Sequence, residues 1–208
     1  MTGDSVLAGD ILEWGTAGRT LAGQYVSGDA CLVAPFEGGV LVAVIDGLGH
    51  GPEARLAANA AIAALSRRPE ASVSDLIQSC HAEIKSTRGV VLSLASFDAA
   101  RGLATWVGVG DVEGVLLSAL DPSKGGRQSL LLRNGVVGYQ LPSLREAVCP
   151  VAAGDVLIFA TDGVTHGFTA TVTNGRSSQA LADDIIANHG KSTDDALVLV
   201  ARYLGASS

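Results

Sequence analysis

"VLVAVIDGLGHGPEA", residues 40–54, decides how the rest of the chain is read. An apolar, largely β-branched run over residues 40–45 stops at Asp46 and Gly47, and more glycines and His50 follow before Pro52 can open a helix. A short continuous apolar run bounded by turn residues fits a strand buried on both faces. Asp-Gly at its end is, taken alone, a turn signal.

The pattern returns. "DVLIFATDGV" sends a second apolar run into Thr161, Asp162 and Gly163; "YVSGDACLVAPF" sets Asp29 after Gly28 at the start of a strand; "STDDALVLVARYL" sets Asp194 and Asp195 directly before another. If those strand ends converge, their carboxylates share a small volume and repel one another, raising their pKa values unless cations neutralise them. An all-oxygen set without Cys or paired His favours hard ions, Mg²⁺ or Mn²⁺, over zinc. Gly47 and Gly163 would let the backbone turn sharply and approach an ion, and the Gly47 carbonyl can itself be a ligand. Two such ions would polarise a phosphoryl oxygen and lower the pKa of a bound water that attacks phosphorus, so no protein nucleophile is needed. That suits a chain lacking G-x-S-x-G, H-E-x-x-H, a P-loop lysine or a Cys-centred phosphate loop.

Composition narrows the remaining classes. The 208 residues suit a single domain, 1–208, with a substantial core. Hydrophobic content is 48% with only 4% aromatic, so the core must come from Val, Leu, Ile and Ala. No apolar stretch approaches the roughly 20 residues that cross a bilayer, and "MTGDSVLAGD" lacks the basic start and apolar run of a signal peptide. We therefore expect a cytoplasmic protein with no membrane partner. Cys31, Cys80 and Cys149 are scattered without C-x-x-C spacing, which argues against a disulfide framework or a thiolate zinc site. The formal net charge is −7 and the Lys and Arg residues are dispersed, so nucleic acid is not an expected partner.

Strand-like segments span 24–34, 40–46, 90–98, 103–109, 115–119, 129–133, 156–161 and 196–203, mostly in hairpin-like succession. Glycine-rich punctuation at 38–39, 99–102, 109–114 and 134–135 suits tight connections between antiparallel neighbours. Helical patterns cover "PEARLAANAAIAALSRR", opened by Pro52; "SVSDLIQSCHAEIKSTR", capped by Ser72 or Ser74; and "SSQALADDIIANHG", capped by Ser177 or Ser178 and stopped by Gly190. This order predicts an α+β layered domain with mostly antiparallel sheets rather than a doubly wound parallel fold.

Taken together and in this order, "SGDA", "VIDGLGHGPEA", "ATDGV" and "TDDALVLV" resemble the PPM metal-dependent protein phosphatases, above all their bacterial SpoIIE-like branch, over residues 10–204 or so. The resemblance implies a four-layer α-β-β-α sandwich of two mainly antiparallel sheets flanked by helices. It implies two Mn²⁺ or Mg²⁺ ions at one end and hydrolysis of phosphoserine or phosphothreonine in a protein. Asp46 would bridge both ions, the Gly47 carbonyl would bind one, Asp162 and Asp194 would hold the first ion and Asp29 would complete the second. Gly163 and Asp195 would support them. The chain has the length of the catalytic domain alone, like the stressosome phosphatases of this branch, which implies phosphorylated STAS-domain scaffold proteins as substrates in general stress signalling. A phosphorylated anti-sigma-factor antagonist is the alternative substrate; a catalytically silent binding module and a hydrolase of small phosphoesters are the alternative functions. Eukaryotic members carry an arginine shortly before the first acid to grip phosphate; here Gln24 stands in that region and Arg19 lies further off, leaving the phosphate-gripping residue open.

Other polar residues have more ordinary readings beside functional ones. His50 would either give a proton to the leaving seryl oxygen or steady the turn into the next helix. His166 packs beyond "TDGV" or faces substrate. Asp111 in "VGVGDVEGV" would either serve a further, weaker ion, as the resemblance implies for some relatives, or sit in a hairpin turn, which explains it better. Asp183 and Asp184 suit the solvated face of a helix, and His81 and His189 suit surface or capping positions.

Overall fold

The structure is a computed structural model that describes residues 11–119, 126–172 and 175–205; the stretch 1–10, read above for leader features, lies outside them. Among the described residues, eleven strands form two sheets. The first sheet takes β1 (Leu12–Arg19), β11 (Ala196–Tyr203), β10 (Val156–Ala160), β6 (Glu113–Leu117) and β7 (Arg127–Ser129), in that order. The second takes β2 (Asp29–Phe36), β3 (Gly39–Gly47), β4 (Val90–Asp98), β5 (Leu103–Val109) and β8 (Leu132–Arg133), with β9 (Ala147–Pro150) also paired to β5. All pairings are antiparallel except β5 with β8.

Strand alternation accounts for the layering. Leu41, Ala43 and Ile45 of β3 face a core shared with α1 (Pro52–Leu65) and α2 (Val73–Glu83), whereas Val40, Val42 and Val44 face a second core between the sheets. On the far side, Ile158, Val198 and Val200 pack under α3 (Ser178–His189). The result is the expected α-β-β-α sandwich. It also explains why residues 40–45 are apolar without interruption: both faces of β3 are covered, and every one of these side chains is 0% exposed.

The helices start where their residues say they should. Pro52 occupies the first turn of α1, the Ser72 hydroxyl accepts from the Asp75 N–H at 3.1 Å, and the Ser177 hydroxyl accepts from the Ala180 N–H at 3.2 Å. Ser72 and Ser177 are therefore the caps, rather than Ser74 and Ser178. Among the described residues, no helix is long and apolar enough to cross a membrane.

Several expected elements differ. The strand expected over 24–34 begins only at Asp29, because the preceding loop is held by side-chain contacts described below. The segment 129–133 is split between β7 and β8, which lie in opposite sheets; Leu130 between them is buried in the inter-sheet core. Residues 109–114 are not a hairpin turn: they carry the chain from β5 in the second sheet to β6 in the first. Within that crossover the buried Ser93 hydroxyl donates to the Val112 carbonyl at 2.7 Å. β1 and β9 were not anticipated at all.

Candidate metal centre

The acids meet at one end of the inter-sheet core. β2 and β3 pair with Asp29 directly opposite Asp46. Asp46 continues the side of β3 that carries Val40, Val42 and Val44, and Asp29 the side of β2 that carries Cys31 and Val33, so both carboxyls lie on the face turned toward the other sheet. From that other sheet comes Thr161, just past β10; its hydroxyl donates to Asp29 Oδ2 at 2.8 Å and accepts from the Leu197 N–H at 2.9 Å. One hydroxyl thus joins both sheets at the site. Asp162 follows in the turn after Thr161, and Asp194 and Asp195 lead into β11.

Asp194 and Asp195 do different work. Asp195 is 4% exposed; its Oδ1 accepts from the Leu21 N–H at 2.8 Å and its Oδ2 from the Gly28 N–H at 2.7 Å. Both of its oxygens are committed to holding the loop before β2, which is why that strand starts late. Asp194 accepts through Oδ1 from the Asp195 N–H at 2.9 Å, and its Oδ2 has no hydrogen-bond partner among the described residues. This division supports Asp194 as a ligand and Asp195 as its scaffold.

The glycines are forced by close backbone approach. A Cβ on Gly47 would lie 2.1 Å from the Ala54 carbonyl oxygen, and one on Gly163 would lie 1.8 Å from the Asp195 carbonyl oxygen. Gly47 therefore lets α1 start against the end of β3, and Gly163 lets the Asp162 turn lie on the Asp194–Asp195 segment.

Burial first, and then neighbouring acids, raise these carboxyls. Asp46 is pushed up to about 9, by desolvation and then by Asp29, Asp162, Asp111 and Asp194. Asp29 is pushed up to about 7 by desolvation, with Asp195, Asp162 and Asp194 adding and the Thr161 hydroxyl opposing. Asp162 is raised by desolvation, Asp194 and Asp111, against the Lys191 ammonium and the Gly163 N–H. Among the described residues no three acidic, imidazole or thiol groups are already arranged to grip an ion unaided. The donor chemistry nevertheless fits a hard divalent cation: buried, mutually repelling carboxyls with no arginine between them gain most from a counter-charge.

Of the secondary candidates, His50 is exposed on the same loop, and His166 faces Glu113 with Nδ1 3.3 Å from Oε2. His81 Nδ1 accepts from the Gly138 N–H at 2.9 Å, a structural tie rather than a solvated position. Nδ1 of His189 lies 3.3 Å from the Thr165 hydroxyl near the end of α3, and Asp184 pairs with Arg176 at 2.5 Å. Asp111, expected in a hairpin turn, lies elsewhere. It stands in the crossover between the sheets, close enough to raise Asp46 and Asp162, and its Val-Gly-Asp context carries the same strand-end signature as the other acids. Thr161 and Lys191, whose ammonium donates to the Asp162 carbonyl, carried no comparable signal.

A family model described as Stage II sporulation protein E (SpoIIE) matches residues 37–204. The chain belongs to the SpoIIE family. That membership places it among the PP2C-type protein serine/threonine phosphatases, a metal-dependent class. Among solved structures, a chain from "The bacterial stressosome: a modular system that has been adapted to control secondary messenger signaling" is 34% identical, with a TM-score of 0.84, over 92% of this chain and 99% of its own. RsbX in complex with magnesium is 19% identical over 93% of this chain and 96% of its own, with a TM-score of 0.83. The PP2C phosphatase domain of SpoIIE from Bacillus subtilis, with a fragment of its regulatory domain, is 21% identical over 95% of this chain and 64% of its own, with a TM-score of 0.73. The last two likenesses are of fold. Comparison with curated proteins finds no match.

Proposed function

We propose that this SpoIIE-family phosphatase works with two Mn²⁺ or Mg²⁺ ions and dephosphorylates a phosphorylated STAS-domain protein of the stressosome. Asp46 would bridge the ions, the Gly47 carbonyl would bind one of them, Asp162 and Asp194 would hold the first and Asp29 would complete the second. The observation that carries this reading is the pairing of Asp29 with Asp46 on adjacent strands, with Asp46 pushed up to about 9 by burial and then by Asp29, Asp162, Asp111 and Asp194. When bound, the ions supply a water of lowered pKa and polarise the phosphoryl oxygens.

The chain's own residues prepare that chemistry. Thr161 fixes the Asp29 carboxyl through a hydrogen bond, and Asp195 fixes the loop that delivers Asp29. Asp194 leaves one oxygen uncommitted among the described residues. The apolar column of Val40, Val42 and Val44 closes the inner side of the site against water. The 34%-identical relative from the bacterial stressosome favours a stressosome substrate over an anti-sigma-factor antagonist.

The test is Mn²⁺-dependent release of phosphate from a phosphorylated STAS-domain protein by the wild type and by Asp46→Asn. Loss of an ion-bridging carboxylate should remove about 4 kcal/mol of transition-state stabilisation, roughly a thousandfold in rate. Undiminished turnover by the variant contradicts the assignment, and a wild type that binds no Mn²⁺ would make the chain a docking module.

A further inference from the structure

The sequence pattern left the phosphate-gripping cation open, and the structure narrows the choice. Gln24 does reach the metal loop: a Cβ on Gly51 would lie 2.7 Å from its Oε1. It brings no charge. Arg19 is committed elsewhere, donating from Nη1 to the Gly190 carbonyl at 2.8 Å. Arg55 has a buried Nε without a partner and acts on Cys31. The Lys191 ammonium is taken by the Asp162 carbonyl.

Arg88 comes from a different element, the segment between α2 and β4. That segment is fastened to the metal loop, since the Leu48 N–H donates to the Gly89 carbonyl at 3.1 Å. Arg88 Nη2 pairs with Glu53 in the first turn of α1. Its Nη1 lies over the loop, where a Cβ on Gly49 would come within 3.0 Å of it, and has no hydrogen-bond acceptor among the described residues. Gly49 belongs to the rim of the site: a Cβ on Gly28 would sit 3.2 Å from the Gly47 carbonyl oxygen and 3.3 Å from that of Gly49. One edge of a guanidinium fork is thus clamped and another faces the rim, and a planar fork is suited to a phosphoryl group.

We propose that Arg88 receives the substrate's phosphoryl oxygens, supplying the charge that Gln24 lacks, with Glu53 as its positioning residue. This rests on the phosphatase reading. The experiment compares wild type, Arg88→Ala, Arg88→Lys and Glu53→Gln, all loaded with Mn²⁺, by calorimetric titration with inorganic phosphate and by turnover of a phosphorylated STAS-domain protein. Arg88→Ala should weaken phosphate binding and lower kcat/KM by roughly 10- to 100-fold, the range for a charged hydrogen bond. Arg88→Lys should recover part of the loss, because a point charge lacks the fork. Glu53→Gln should fall between wild type and Arg88→Ala. Mn²⁺ affinity and Tm should stay unchanged in Arg88→Ala, which a purely structural role through the Glu53 pair would not give. Equal phosphate affinity in wild type and Arg88→Ala overturns the proposal, whether or not the wild type turns over substrate; an inactive wild type that still binds phosphate through Arg88 instead overturns the phosphatase reading. Should Arg88→Ala fail to fold, Arg88→Lys carries the same comparison.

Discussion

The two sheets bring acids to the same place by different means. The second sheet carries Asp29 and Asp46 on paired strands, fixed by ladder hydrogen bonds and facing the inter-sheet core. The first sheet carries Asp162 and Asp194 on turns just beyond β10 and before β11, where the Lys191 ammonium and backbone N–H groups share the electrostatic load. Burial raises the strand-borne pair to about 7 for Asp29 and about 9 for Asp46. Strands therefore supply rigid, strained charge, and turns supply charge that is easier to solvate and adjust.

The largest expected effect sets activity against stability at Asp46. Asp46→Asn should lose activity about a thousandfold, as above. The metal-free variant should nevertheless be more stable than the metal-free wild type. Because the folded-state pKa of about 9 lies above the ordinary aspartate value of 3.8, the folded protein holds a proton that the unfolded chain has released. Stability from this group is fully present below the unfolded pKa and is lost as pH rises through the folded one. Denaturant unfolding in EDTA at pH 8 should favour Asp46→Asn, with a margin that grows by up to about 1.4 kcal/mol per pH unit between the two pKa values. Equal stability at that pH would show that the strand-borne acids are not strained.

Next come the glycines. Gly47→Ala and Gly163→Ala each drive a Cβ into backbone, at 2.1 Å and 1.8 Å, and neither obstacle is a flexible side chain. Each should destabilise by about 3 kcal/mol or more, read from thermal melts. Gly163→Ala should also disturb the turn-borne acids, whereas Gly47→Ala acts through α1.

The neighbouring acids then separate. Asp195→Asn leaves one of two backbone donors without its acceptor and should cost about 1–3 kcal/mol in denaturant melts. Asp194→Asn should leave stability nearly unchanged while weakening Mn²⁺ binding in calorimetry. If the two variants behave alike, the division between ligand and scaffold is wrong. The smallest effect belongs to Lys191→Met: removing its ammonium should raise Asp162 further and move the onset of Mn²⁺ binding to higher pH.

Much of this was legible in the residues because the strongest signals are local. β4, β5 and β11 run over the residues expected of them, and Asp29, Asp46, Asp162 and Asp194 stand at the four strand ends that converge. What could not be seen is which sheet a strand joins. Period-two alternation is the same in either sheet, so residues 109–114 passed for a hairpin and Asp111 for a turn residue, although the chain changes sheets there. β1 was missed because its pattern is weak, with Leu12 and Gly15 its buried positions. β9 spans four residues, too few for any period to show. The arrangement of Thr161, Lys191 and Arg88 arises from loops meeting in space, for which sequence spacing carries no signal.

The most direct test is calorimetric titration of the metal-free protein with Mn²⁺ at pH 7 in buffers of different ionisation enthalpy. Two ions should bind, and because Asp46 is pushed up to about 9 and Asp29 to about 7, binding should release roughly one proton or more. Absence of Mn²⁺ binding, or binding without proton release, would contradict a buried carboxyl cluster assembled to cage divalent cations.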